Sequence, residues 1–368
     1  MSYDGKLKMI AVAILETKIR MAGPQTIAPR LAGIACLVLW ACGTVLANAA
    51  ASYHLGGGRN IGPVNVAGYS NLEADAPHGG PADLSLDLSL FLSGHFGRYL
   101  NPFTETEIDQ LPLAGQPGAP NSATVSVERL YDDMYLRPSL TLRVGKMLTP
   151  LGDWNLLHAP PLVWTVTRPL STYYSFPQYV TGASLDYLRN RGGMWDVRLY
   201  GEPDKDAFWK AGDYMPRPYS RVVGIEARYS WDPLSMDRVG VSWQMAHLPW
   251  SGGRQMLASV YGGFSTGPVR WSFQADVTEI RGNSLPLAHR HEQGGYLQAV
   301  YRLTRRWFIV AQGERYQVRE YPAPSLRRLL GMVYRPRPAV SWKLDLLKTS
   351  GAPVGAQTGL YAAGAVLF

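Results

Sequence analysis

Residues Leu84 to Leu92 read L-S-L-D-L-S-L-F-L. Leu84, Leu86, Leu88, Leu90 and Leu92 fall on one face, and Ser85, Asp87 and Ser89 on the other. Successive side chains of a strand point to opposite faces, so this period of two specifies a strand with one apolar and one polar side. The same rhythm recurs along the chain. Val223, Ile225, Ala227, Tyr229 and Trp231 oppose Gly224, Glu226, Arg228 and Ser230. Val269, Trp271, Phe273, Ala275 and Val277 oppose Arg270, Ser272, Gln274 and Asp276, and Val340, Trp342, Leu344 and Leu346 oppose Ser341, Lys343 and Asp345. Composition agrees. Only 17% of the 368 residues are charged, against about 25% in an ordinary soluble domain. Aromatics make up 11%, with 21 Tyr and 11 Trp, and mean hydropathy is −0.11. A helical membrane protein, a disordered chain and a disulfide scaffold are all poor fits to these values.

A soluble sandwich would alternate in the same way. Three further features select a closed membrane barrel. Short links near Arg189–Gly193, Trp231–Arg238, Thr266–Pro268, Thr304–Arg305 and Arg335–Pro338 alternate with longer ones at Leu148–Pro177, Glu202–Ser220, Leu248–Arg254, Arg281–His291 and Gln317–Ser325. That alternation gives a barrel one short-turn rim and one long-loop rim. Tyr187, Trp195, Tyr229, Trp231, Trp271, Tyr301, Trp307, Tyr334 and Trp342 sit at strand ends beside the short links, where amphipathic rings suit a membrane–water boundary. Finally Leu360, Ala362, Gly364, Val366 and Phe368 form the apolar face of a last strand. The terminal Phe368 resembles the assembly signal of Gram-negative outer-membrane barrels. The expected fold is an all-β, transmembrane, antiparallel up-and-down β-barrel of about sixteen strands, within a range of fourteen to eighteen. An even count places both ends of the sheet on the short-turn rim and closes the edges that hydrocarbon cannot solvate.

The first 49 residues read as a secretory signal. Leu31–Leu46 is an apolar run preceded by Lys18, Arg20 and Arg30 and followed by the small-residue site Ala47-Asn48-Ala49. Cleavage after Ala49 leaves residues 50–368 as the barrel; residues 1–20 add nothing to such a signal, and Met21 is an alternative start. Both cysteines, Cys36 and Cys42, belong to the removed segment. That segment also carries five basic and two acidic residues, so the net charge falls from +8 to +5, too mild to suggest nucleic-acid binding.

If the apolar faces meet lipid, the polar faces line water. A barrel of this size encloses an aqueous channel unless something plugs it. The inferred wall is acidic at first, with Asp87, Glu105, Glu107 and Glu128, followed by Glu226. Arg143, Arg198, Arg228, Arg270, Arg302 and Lys343 then recur about once per hairpin. Such charges orient polar solutes and bias ion passage; equally, they could pair with neighbours and stiffen a wet wall. The connection Leu148–Pro177 is unusually long and rich in Trp, Tyr and Pro, which points to a folded element. Folding into the lumen would bury Trp154, Trp164, Tyr173 and Tyr174 and bring Asp153, His158 and Arg168 to a constriction; the alternative is packing over the outer rim.

The stretch Leu142 to Gly152, L-R-V-G-K-M-L-T-P-L-G, resembles the R-x-G-K/Q…T-P-x-G segment of phosphate-selective-type porins. The resemblance covers about eleven residues. It implies a porin-like barrel and makes Arg143 and Lys146 constriction candidates. The Lys/Arg-rich constriction loop of that family is missing here, since the long loop carries only Arg168. No G-x-S-x-G, H-E-x-x-H or C-x-x-C occurs after residue 49, and His289-Arg290-His291 alone does not define a metal site. No enzyme activity, cofactor or metal is expected. The reading is a passive diffusion channel for small hydrophilic solutes or ions, exported to the bacterial outer membrane. Expected partners are membrane lipid and lipopolysaccharide, the barrel-assembly machinery and, with monomer and homotrimer both open, copies of itself. The alternative is a sheath around a periplasmic or extracellular partner, such as a multihaem cytochrome or an export component. A lumen constricted by its own loop favours the channel; a wide empty lumen favours the sheath.

Overall fold

The computed structural model describes residues 58–114, 123–174, 176–204, 219–232, 237–249, 251–282, 290–319 and 321–368. The signal-segment expectations, including Ala47 and Ala49, and His289 lie outside these residues.

A short β1 (Arg59–Ile61) turns back onto β2 (Val64–Pro77), its only partner among the described residues. The chain continues through β3 (Asp83–Gly94), β4 (Pro102–Ala114), β5 (Thr124–Arg137), β6 (Leu140–Leu148), β7 (Tyr179–Asn190), β8 (Met194–Gly201), β9 (Ser220–Asp232) and β10 (Asp237–Leu248). It ends with β11 (Gly253–Thr266), β12 (Val269–Arg281), β13 (His291–Arg302), β14 (Trp307–Gln317), β15 (Ser325–Arg337), β16 (Val340–Gly351) and β17 (Gly359–Leu367). Each strand from β2 to β17 pairs antiparallel with the next, and β17 returns to β2 with Leu360 opposite Ala76 and Leu367 opposite Tyr69. The result is a closed ring of sixteen strands. Sixteen is the number expected from the sequence; β1 is an addition, paired with β2 as a small hairpin at the start of the ring.

The seam between β2 and β17 is extended by Phe368. Its backbone exchanges hydrogen bonds of 2.8 and 2.9 Å with Gly68. A side chain at residue 68 would press on the Phe368 ring and on the Ser89 carbonyl, so glycine is required by close approach.

Alternation decides which side faces out. In β9, Val223, Ile225 and Trp231 are exposed while Ser220, Gly224 and Glu226 are buried. In β3, Leu88, Leu90 and Leu92 are exposed and Ser89 is buried. An apolar outside with a polar inside is the inverse of a soluble protein, and it is what a strand sheet in hydrocarbon requires. Aromatic residues gather on the outer face at the short-link rim: the Trp195 ring packs against Tyr229 at 4.8 Å, and Trp307 against Tyr334 at 4.6 Å, each a tilted cross-strand pair. The length rule is not strict: on the long-loop rim the link 249–252 is no longer than the link 303–306 on the short-link rim. Residues 95–101 form the longest link on the short rim, fixed by Phe96 N–H to Leu100 O at 3.0 Å and by Arg98 Nε to Tyr135 O at 2.7 Å.

Candidate functional site

The described residues between 149 and 178 do not stay on the rim. They enter the lumen and cross it. Two local features start the inward turn. Gly152 has φ +74°, and a Cβ there would collide with Gln274 Oε1 on the opposite wall. The base of the loop is closed by Thr149 N–H to Gln178 O at 2.9 Å and Thr149 Oγ1 to Pro177 O at 2.5 Å. A short helix α1 (Gly152–Leu156) follows, and then a 3-10 turn at Leu170–Thr172.

Inside the loop, Arg168 is a brace. Its guanidinium donates to Asn155 Oδ1 at 2.9 Å, Gln178 Oε1 at 3.3 Å, Thr172 Oγ1 at 3.0 Å and Thr172 O at 2.7 Å. Asn155 in turn donates to Thr149 O at 2.8 Å and Gln178 O at 3.0 Å. Thr149 O and Gln178 O, which already accept the backbone N–H groups of Leu151 and Thr149, thereby gain a second donor, and Thr172 O takes its hydrogen bond from Arg168.

The wall supplies the remaining partners. Asp345 of β16 accepts the Val166 N–H at 2.6 Å, and Lys343 donates to Thr165 O at 3.2 Å. Arg335 of β15 donates to Leu162 O and Val163 O, both at 3.2 Å, with its guanidinium 3.8 Å from the Trp164 ring centre. Glu314 of β14 accepts the N–H groups of Leu170 and Ser171, while Arg327 of β15 bridges Glu314 and Arg168 O, each at 3.1 Å. Trp164 packs 5.0 Å from Phe308, and Tyr174 packs edge-on against Tyr316 at 6.0 Å. Leu170 is fully buried. On the other side of the lumen, Asp153 takes a two-point contact from Arg238, at 2.9 and 3.0 Å, and His158 meets Glu128 at 3.3 Å.

Among the described residues, two cavities beside the inserted loop have opposite character. One, of about 440 Å³, lies between the loop and the β2–β5 wall and is lined by Glu73, Asp75, Asp83, Asp87, Glu107, Asp109 and Glu128. His158, Arg168, Arg327 and Lys343 face it, the last three already held by loop or wall oxygens. Asp75 and Asp83 are directly opposite each other in the β2–β3 register. The other cavity, of about 270 Å³, is lined by Arg129, Arg143, Arg198, Arg228 and Arg238 with Asp153, Asp186 and the apolar Leu156 and Leu157. There each guanidinium has a carboxylate. Arg143 holds Asp133 at 2.7 and 2.9 Å, Arg198 reaches Asp196 at 2.9 Å, Glu226 at 3.6 Å and Asp186 at 3.7 Å, Arg228 pairs with Asp196, and Arg129 pairs with Glu105.

The candidate residues therefore separate. Arg143, Asp153, Arg198 and Arg228 come together at the arginine-lined cavity, while Asp87, Glu107, Glu128, His158, Arg168 and Lys343 meet at the acidic one. Glu105 sits beside Ser89 and Arg129, and Glu226 holds the Tyr261 hydroxyl. Arg270 is half-buried, 4.0 Å from Asp237. Arg302, expected in the wall, lines neither cavity; it is the last residue of β13 and is exposed at the short-link rim. Lys146 is buried with its Nζ 4.8 Å from the Tyr179 ring centre. Arg129 escaped the sequence reading because of a bulge. Glu105 pairs with Arg129 and Thr106 with Val127, so Glu128 is an extra residue and two consecutive side chains reach the lumen. Arg238, Arg327 and Arg335 carried a usable signal, since each has the parity of the polar face of its strand. Among the described residues no group of three or more His, Cys, Asp or Glu is arranged to hold a metal ion.

Ring closure, outward apolar faces, an aromatic rim and a loop folded into a polar lumen define a membrane β-barrel of porin architecture. Solved structures agree on the fold. OmpT of Vibrio cholerae, an outer-membrane protein described in a trimer form, superposes with a TM-score of 0.59 at 10% identity, over 84% of this chain and 100% of that one. OmpF of Salmonella typhi gives 0.57 at 10% identity, over 83% and 97%. The anion-selective porin of Comamonas acidovorans gives 0.52 at 11% identity, over 83% and 99%. No family model matches the sequence. An uncharacterised protein of Aquifex aeolicus (strain VF5) is 34% identical over 110 residues, which is 29% of this chain and 24% of that protein.

Proposed function

We propose that this chain is an outer-membrane porin, a passive channel for small hydrophilic solutes and ions whose passage is limited by its own inserted loop. The observation that carries this reading is the anchoring of residues 162–171 to Asp345, Lys343, Arg335, Arg327 and Glu314 inside the ring. A loop held in this way narrows the lumen without a second protein, which supports a channel over a sheath. The charge layout supports a preference for cations. The arginine side is neutralised pair by pair, whereas the acidic cavity has more carboxylates than cations on its wall.

The test is reconstitution of the purified protein in planar bilayers, with reversal potential and solute-swelling rates taken on the same preparation. Ohmic current with a cation-biased reversal potential is expected; silence at every voltage sinks the channel. Residues 1–49 act in this reading as a cleaved export signal, checked by the N-terminal residue of the mature protein. Assembly follows the trimeric precedent of the V. cholerae structure and is checked by mass of the detergent-solubilised complex.

A further inference from the structure

The outer face carries a charge pattern unrelated to the lumen. Arg221, Arg254, Arg281, Arg315, Arg328 and Lys348 occupy lipid-side strand positions of β9, β11, β12, β14, β15 and β16, and all six are exposed. Each lies on the same strand face as the outward apolar residues, for example Leu326, Leu330 and Met332 around Arg328. Along their strands they stand six to ten residues from the short-rim aromatics or, for Arg254, from Phe264 opposite Trp271. At about 3.4 Å per residue and a strand tilt near 40°, that is roughly 15–26 Å of height: Arg221, Arg254, Arg281 and Arg315 stand at or near the far edge of an apolar band about 25 Å tall, and the long side chains of Arg328 and Lys348, which start lower, extend towards it.

Two of these contacts are unfavourable in the protein alone. Arg254 is directly opposite Arg281, and Arg328 is directly opposite Lys348. Like charges facing across a ladder repel unless an anion sits between them. Only Arg281 has an acidic partner among the described residues, Glu279 at 3.0 Å. Arg221 is held at φ +50°, a left-handed conformation uncommon for a side-chain-bearing residue, in an irregular stretch of the β9–β10 ladder. The other half of the ring differs: among the described residues between Val64 and Gly201, no exposed Lys or Arg stands on the outer face of a strand at the long-loop rim.

We infer that the long-loop rim of β9–β16 is a docking belt for the phosphate groups of outer-leaflet lipopolysaccharide, with the paired cations Arg254/Arg281 and Arg328/Lys348 as its two phosphate clamps. The inference rests on the outer-membrane placement proposed above but not on conduction. Long loops face the cell exterior in bacterial barrels, so this rim meets the leaflet that carries phosphorylated glycolipid. Guanidinium groups suit phosphate because their N–H fork matches two oxygens at once.

The experiment uses the full folded protein in detergent, titrated with fluorescent lipopolysaccharide, with the same lipid after phosphatase treatment, and with phosphatidylglycerol. Two variants are compared, R254Q/R281Q and R328Q/K348Q, with R305Q/R306Q at the opposite rim as the control. Each clamp variant should weaken lipopolysaccharide binding by about tenfold, phosphatase treatment should do the same to the unaltered protein, and the control should bind normally. Heat-modifiable gel migration identifies variants that have closed, and because the clamps are tested separately, one misfolded variant leaves the other decisive. Unchanged binding in a folded clamp variant overturns the belt. Equal, belt-dependent binding of phosphatidylglycerol overturns the assignment to lipopolysaccharide in favour of any anionic lipid. Unaltered conductance in a variant that has lost lipid separates this result from the fate of the channel reading.

Discussion

The two sides of the divided lumen handle charge in opposite ways. Around the arginine-lined cavity every guanidinium is locked to a carboxylate, most tightly in the Arg143–Asp133 fork and the Arg198–Asp196–Arg228 chain. Around the acidic cavity, carboxylates of β2 and β3 face one another, as with Asp75 and Asp83, or rest on neutral groups, as Asp87 does on Asn71. A count of arginines would assign the pore to anions. Under the proposed channel function, the pairing geometry favours the acidic side instead, where carboxylates outnumber the cations that face them. A charge already neutralised by its neighbour contributes little to the potential a passing ion feels.

That contrast can be broken most forcefully at the partition itself. Replacing residues 152–174 with a short Gly/Ser link should merge the cavities and raise single-channel conductance several-fold, read in planar bilayers. Next comes the anchor. Glu314→Ala strands the buried Arg327 and frees the Leu170 and Ser171 amides, which should cost about 3–5 kcal/mol in urea unfolding followed by gel shift. A moderate effect is expected from the triple change Asp75→Asn, Asp83→Asn and Asp87→Asn. It should move the reversal potential in a salt gradient towards anions, and no movement would mean the acidic wall does not set selectivity. Arg143→Gln should shift it slightly the other way by exposing the charge of Asp133. The smallest effect belongs to the rim: Trp307→Ala loses the ring pair with Tyr334 and should cost about 1 kcal/mol without altering conductance.

Most of the barrel was legible in the chain because membrane strands advertise both faces. Leu84 to Leu92 and Val223 to Trp231 state which side is lipid and which is water. The lumen residues followed from the same parity wherever the ladder is regular, as at Arg198 and Glu226. Parity failed at the bulge, where Glu128 and Arg129 both turn inward, and β1 is too short to show a period. The partners of the loop were beyond reach for a different reason. Val166 and Asp345 are far apart in sequence, and nothing local to either says that they meet. Aromatic content did signal that the loop must bury itself, and Trp154 and Leu170 are buried. Selectivity was the least legible property, because it depends on which charges cancel, and cancellation is a matter of distance.

The seam where Phe368 meets Gly68 has a consequence for biogenesis. It joins the first ring strand to the last, so it cannot form until the whole sheet exists and every intervening ladder is in register. A slip of one residue at any ladder would turn lipid-side residues inward and present Phe368 to a residue bearing a Cβ. The glycine is therefore a final check on register: the ring seals cleanly only when its sixteen strands are paired correctly, and a misregistered sheet keeps two unpaired edges.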